Sequence, residues 1–287
     1  MSKLRFEVDT DKDVTVGDYL RGRCGVSARL LKKLKHREGG LTCNGGFIRS
    51  IDPVRKGDII VLDIGEESKA VPNPALRADI AYEDENIIVF DKPADMPVHQ
   101  SARHRDDTLA NYFAHLYPEL TFRSVNRLDK DTSGLCVIAK DAHTANLMQG
   151  RCGKVYYACV HGTPEISGTI DAPIARERES IITRCVREDG QRSVTHYRRI
   201  ASNGRYSLME IRLETGRTHQ IRVHFAHIGH PLAGDDLYGG SLDDIGRQAL
   251  HCGQITFTHP FTGEEVTVTS ELPEDMSALI DAQKTGV

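Results

Sequence analysis

SVNRLDKDTSGLCVIAK (residues 124–140) passes from a polar loop into an apolar strand. Its first half packs Arg127, Asp129, Lys130, Asp131, Thr132, Ser133 and Gly134 together, residue types whose short side chains or free backbone favour turns. Its second half, LCVIA at 135–139, has the unbroken apolar character of a buried strand. The junction sets Asp129 at a sheet edge, although good turn chemistry alone accounts for the same residues. Strand-like runs recur outward from this segment at 86–90, 154–161, 206–213, 250–258 and 265–270. Helical patterns are sparse: DTLANYFAHLY (107–117), AHTANLMQGRC (142–152), THQIRVHFAHI (218–228) and a last one beginning DMSALIDAQ at 275. Strands outnumber helices and do not alternate strictly with them, so the chain reads as α+β with a mixed sheet, not a doubly wound parallel one.

Upstream, EESKAVPNPA (66–75) breaks periodicity with two acids and two prolines and reads as a linker. Before it, TVGDYLRGRCG (15–25) and SARLLKKLKHR (27–37) predict two short helices. Asn44-Gly45 then signals a hairpin, and RKGDIIVLDI (55–64) a turn and a strand. The organisation expected is a small ααββ domain over 1–65, a linker over 66–78 and a larger domain over 79–287.

The 287 residues carry a net charge of −4, with a pI near 6.4. That mean argues against a nucleic-acid binder; its distribution argues for one. Between Arg21 and Lys56 ten Lys/Arg face two acids, a net of +8, which leaves −12 for the rest of the chain. A solvated helix face accounts for one basic helix, but the bias runs on through the following hairpin. Clustered cations of this kind displace counterions from a phosphate backbone. Lys32, Lys33 and Lys35 are the foremost candidates for that contact.

Seven cysteines, at 24, 43, 136, 152, 159, 185 and 252, include no C-x-x-C spacing, so reduced thiols are expected instead of a disulfide framework or zinc ribbon. The N-terminus lacks the apolar region of a signal peptide. No apolar run approaches the ~20 residues that span a bilayer. A cytoplasmic monomer without membrane association is the expectation.

Two further segments could carry chemistry. ETGRTHQIRVHFAHIGHPLAGDDLYG (214–239) gathers His219, His224, His227 and His230 with Arg217, Arg222, Asp235 and Asp236. A metal shell is one reading, but there is no H-E-x-x-H, and His224 and His230 cannot share a helix face; polar surface and capping are the other. In KVYYACVHG (154–162), alternation puts Lys154, Tyr156, Ala158 and Val160 on one strand face, ordinarily a core position for a tyrosine.

NRLDKDTSG (126–134) resembles the H-R-L-D-x-x-T-S-G motif of the RluA family of RNA pseudouridine synthases. DKPADMPVH (91–99), KVYYACVHG and GRTHQIRVHFAHIGHPLAGDDLYG are similar to three further family signatures, in family order. The N-terminal unit resembles the small alpha-L-type RNA-binding domain, shared with a ribosomal protein, that precedes the catalytic domain in many relatives. Two positions depart from the pattern: Asn126 stands where the family usually has His, and Ala94 where it usually has Gly. Proton transfer by residue 126 is thereby lost, while hydrogen bonding is kept.

The resemblance implies the pseudouridine synthase fold, with a largely antiparallel sheet, and an RNA substrate, ribosomal or transfer. It implies isomerisation of uridine without a cofactor or metal. Asp129 matches the catalytic carboxylate, acting by attack on the sugar or base or by removing a proton from C2′. Arg222 matches the arginine paired with it, and Tyr156 the tyrosine that stacks on the uracil. Arg127, Asn126, Arg217 and His219 are implied as RNA contacts around a flipped uridine. Two other readings stand beside this one: a non-catalytic RNA-binding or ribosome-associated protein, and a metal-dependent hydrolase built on the 219–230 histidines.

Overall fold

The computed structural model describes residues 3–26, 28–35, 37, 39–63, 70–177 and 182–281, and the chain divides into two compact units, 1–69 and 70–287.

In the first unit the order is β1 (Lys3–Glu7), β2 (Val14–Thr15), α1 (Val16–Gly22), α2 (Ala28–Lys35), β3 (Leu41–Cys43), β4 (Gly46–Phe47), β5 (Pro53–Val54) and β6 (Ile59–Asp63). The sheet runs β1-β6-β3-β4, with β2 and β5 paired apart. The two helices and the hairpin fall where the periodicity puts them. Asn44 and Gly45 take φ of +50° and +84°, as a two-residue turn matched to strand twist requires. The ααββ reading omits β1, because KLRFE is almost wholly exposed and shows no buried face to alternate. Val16, Tyr19 and Leu20 of α1 pack with Leu31 and Leu34 of α2 on Leu41, Ile60 and Leu62. Thr15 caps α1 by accepting from the Asp18 N–H.

Residues 64–69, which include 66–69 of the expected linker, lie outside the described residues. Residues 70–78, the remainder of it, belong to the second unit. The Asn111 amide donates to the Val71 carbonyl, and Asn73 donates to Asp106 and to Asn111 through side chain and backbone. Side-chain amides, that of Asn111 buried, thus fix a stretch whose prolines read as a break.

The second unit contains β7 (Asp79–Glu83), β8 (Ile87–Lys92), α3 (Leu109–Leu116), β9 (Ser133–Ala139), α4 (Ala142–Met148), β10 (Gly153–His161), β11 (Ser167–Asp171), β12 (Ile174–Arg176), β13 (Arg184–Val186), β14 (Val194–Ser202), β15 (Tyr206–Leu213), α5 (Gln220–His227), β16 (Leu250–Thr258), β17 (Glu265–Thr269) and α6 (Glu274–Asp281). Among the described residues nine strands form one sheet, β11-β14-β15-β10-β16-β9-β8-β7, with β17 also on β16. Every pairing is antiparallel except β9 with β16, which is parallel over Ser133↔His251 and Gly134↔Cys252. That short contact leaves residues 254–258 of β16 free to pair with β17. At Gly134, φ is +105° and an added Cβ would stand 2.3 Å from the Cys252 carbonyl oxygen, so only glycine lets the strands meet here. β9 is buried throughout, and with β8, α3 and Phe225 of α5 it forms the main core. The polar loop before it therefore ends against a rigid central strand.

Candidate active site

The loop 126–132 is held from three sides. Asn126 is buried; its amide nitrogen donates to the Leu135 carbonyl at 3.2 Å, and its amide oxygen accepts from the Val137 N–H at 2.7 Å. This side chain serves the backbone of β9 while its residue lines the cleft. From β8, the fully buried Lys92 ammonium donates to the carbonyls of Pro93 (2.7 Å) and Lys130 (3.0 Å). From the approach to β16, Arg247 donates to the Asp131 carbonyl and Gln248 to the Thr132 hydroxyl, and the Ser133 hydroxyl meets His251 Nδ1 at 3.0 Å. Burial pushes the Lys92 amine down to about 8.

This clamping presents Asp129 with its side chain 31% exposed, open to a ligand yet fixed in place. Its Oδ2 lies 3.5 Å from Arg222 Nη1 and 3.9 Å from His219 Nε2. Arg222 and His219 come from the start of α5, where His219 adopts φ +58°. Gln220 anchors that start by accepting from the Arg217 N–H and donating to Val194 and Thr195 of β14. The principal partner of Arg222 is not Asp129: its Nε and Nη2 each donate to Asp235 at 2.6 Å, both side chains being buried. Burial opposes the guanidinium charge, and the Asp235 carboxylate more than restores it, raising the pKa of Arg222. Burial lowers the pKa of His219, against the attraction of Asp129.

Tyr156 projects from β10 into the same recess, 7% exposed. Burial first, then the neighbouring Cys252 and Asp129, raises its pKa well above the usual phenol value. It stays a neutral phenol at neutral pH, an aromatic face whose hydroxyl still carries its proton. Asp129 and Tyr156 line a cleft of about 1080 Å³, whose rim includes the exposed Arg127 and Arg217. The structure thus brings together Asp129, Tyr156, Arg222, His219, Arg127 and Arg217. Lys32 and Lys35 lie on α2 of the first unit; Lys33 is on the same helix, its side chain outside the described residues.

The histidines of 219–230 diverge. His224 spends both ring nitrogens in the core, on Thr195 Oγ1 (2.8 Å) and the Ala172 carbonyl (2.9 Å); His230 meets the His161 carbonyl; His227 is exposed. Among the described residues no three His, Cys, Asp or Glu side chains converge as a metal would need. Two supports of the site went unrecognised: Lys92 beneath the loop, and Asp235, read as a possible metal ligand instead of the partner of Arg222. Lys92 carried a signal, since alternation along IIVFDK puts a charge on the apolar face of Ile88 and Phe90. The Arg222–Asp235 pair, thirteen residues apart across a turn, matches no local period.

Residues 86–227 match the family model described as RNA pseudouridylate synthase. Over 94% of its length the chain is 39% identical to a Bacillus subtilis (strain 168) protein named uncharacterized RNA pseudouridine synthase YjbO, of which it covers 99%. It is also 39% identical to the ribosomal large subunit pseudouridine synthase D of Pseudomonas aeruginosa, across 85% of this chain and 84% of that one. Of solved structures, human RNA pseudouridylate synthase domain containing 1 aligns with a TM-score of 0.59 at 25% identity, covering 75% of this chain and 98% of that chain. No helix among the described residues is long and apolar enough to cross a membrane. The chain belongs to the RluA-type family of RNA pseudouridine synthases, isomerases that act on RNA.

Proposed function

We propose that the chain converts uridine in ribosomal RNA to pseudouridine, with Asp129 as the catalytic carboxylate. One observation carries the assignment: two cationic or N–H-bearing side chains, Arg222 and His219, face one oxygen of a half-exposed carboxylate beside Tyr156 in a cleft. The ribosomal target rests on the 39% identity with a relative named for the large ribosomal subunit. The reaction breaks the C1′–N1 bond, turns the uracil and joins C1′ to C5, while the C5 proton is lost and N1 gains one. Nothing is oxidised or reduced. Asp129 assists at the sugar or base as that bond breaks, and the Arg222 charge beside it holds its aim. Tyr156 supplies a face for the uracil, and Arg127 and Arg217 at the rim meet the RNA around a flipped nucleotide. His219 and Asn126 act from the wall of the cleft, Asn126 through the loop it braces. The first unit acts as an alpha-L-type RNA-binding domain, Lys32, Lys33 and Lys35 adding backbone affinity without chemistry. One chain contains every group this scheme uses, so it works as a monomer, in the cytoplasm with its RNA. The test is Asp129→Asn, read by tritium release from C5-labelled ribosomal RNA and by filter binding. Lost turnover with retained binding is expected; substantial pseudouridine formation by the variant overturns the assignment. Mapping pseudouridines in ribosomal RNA with and without the gene tests the target.

A further inference from the structure

Asp129 has two neighbours from the start of α5 beside its carboxylate. The nearest approaches are Arg222 Nη1 and His219 Nε2, 3.5 and 3.9 Å from Oδ2. Each neighbour is in turn held by the same short turn, residues 235–238, which lies between α5 and β16. Asp235, 1% exposed, takes two hydrogen bonds of 2.6 Å from Arg222 and fixes the plane of its guanidinium. The ring of Tyr238 lies against that guanidinium, 5.0 Å from Cζ to its centroid. Its hydroxyl meets His219 Nδ1 at 2.7 Å and accepts the Arg184 N–H at 3.0 Å. When the hydroxyl donates its proton to Nδ1, the imidazole proton sits on Nε2, the nitrogen nearest Asp129.

We infer that Asp235 and Tyr238 are positioning residues for the isomerisation. Asp235 locks the plane of Arg222, and Tyr238 locks the orientation of His219, so that both groups stay aimed at the Asp129 carboxylate. The inference rests on Asp129 being the catalytic carboxylate. It also gives His219 its left-handed backbone: φ of +58° is uncommon outside glycine and is the kind of strain that surrounding structure sustains at working sites.

The experiment compares Tyr238→Phe, Asp235→Asn, Asp235→Glu and Asp129→Asn in the full chain, with transcribed ribosomal RNA as substrate. The readouts are kcat, KM, RNA affinity and thermal midpoint. Tyr238→Phe keeps the ring on Arg222 and deletes only the hydroxyl; kcat should fall about tenfold with KM, affinity and midpoint unchanged. Asp235→Asn should lower kcat about 100-fold, because the guanidinium loses its fixed plane. Asp235→Glu, which keeps the charge, should recover part of that loss. A wild-type kcat in Tyr238→Phe, or a loss confined to KM, overturns the inference. Should Asp235→Asn fail to fold, Tyr238→Phe and Asp235→Glu decide it. An active Asp129→Asn removes the carboxylate assignment itself; an inactive one beside fully active Tyr238 and Asp235 variants removes only the positioning role.

Discussion

Both units carry surface ion pairs, but among the described residues the second also buries charge. In the first, ion pairs such as Arg21–Asp18 and Lys56–Asp11 sit on the surface with both partners largely exposed. Exposed pairs are worth little individually, so in the proposed RNA-binding role that unit acts through the sum of its cations. In the second, Arg222–Asp235 and Lys92 are buried, and removing one partner strands the other in a poor solvent for charge. The first unit is therefore tolerant at single positions and sensitive to total charge; the second is the reverse.

The largest effect that would sharpen this contrast is at Asp129. Asp129→Asn should reduce turnover by about 10⁴-fold or more in single-turnover assays, with RNA affinity intact. A comparable loss from any single lysine of α2 would break the contrast. Next comes Gly134→Ala, whose Cβ would meet the Cys252 backbone. It should cost about 3 kcal/mol or more of stability in urea titrations, and turnover with it, since the loop loses its anchor.

The third test is pH. Lys92 titrates near 8 when folded and near 10.5 when unfolded. Below pH 8 it is charged in both states and the burial penalty is fully present. Between pH 8 and 10.5 the unfolded chain binds the extra proton, so stability rises with pH, by roughly 3 kcal/mol across the window. Lys92→Met should lose this rise, measured as the difference between wild-type and variant denaturation midpoints; equal pH profiles would refute the depressed value. The smallest effect is expected in the first unit. Replacing Lys32, Lys33 and Lys35 together by Ala should reduce the salt slope of RNA binding by about 2–3 and leave kcat alone. An unchanged slope returns those lysines to a solvated surface.

Legibility followed burial. β9, β10 and β16 were readable because their apolar faces are continuous, and α3 because its apolar stripe repeats at helical spacing; the Thr108–Asn111 capping box that starts it emerged only in the structure. β11 and β14 were not, since SGTID and VTHYRRIAS keep one face in water and fill it with Arg, His and Thr. In the site, Asp129, Tyr156 and Arg222 stand inside contiguous motifs. Their supports, Lys92, Asp235 and Tyr238, stand inside such motifs too, but the contacts through which they act form only when the chain folds, so their roles were not legible. The whole-chain charge misled for a related reason, averaging a basic unit into a larger acidic one.

The parallel contact of β9 with β16 also sets a timetable. It joins Ser133 and Gly134 to residues 118 positions later. During synthesis, the loop bearing Asp129 and the start of β9 exist long before β16 can pin them. Loop closure over such a span is slow and comes late. Catalytic competence thus arises near the end of folding, once residue 252 has docked, and a nascent chain stopped short of that strand carries the motif without the enzyme.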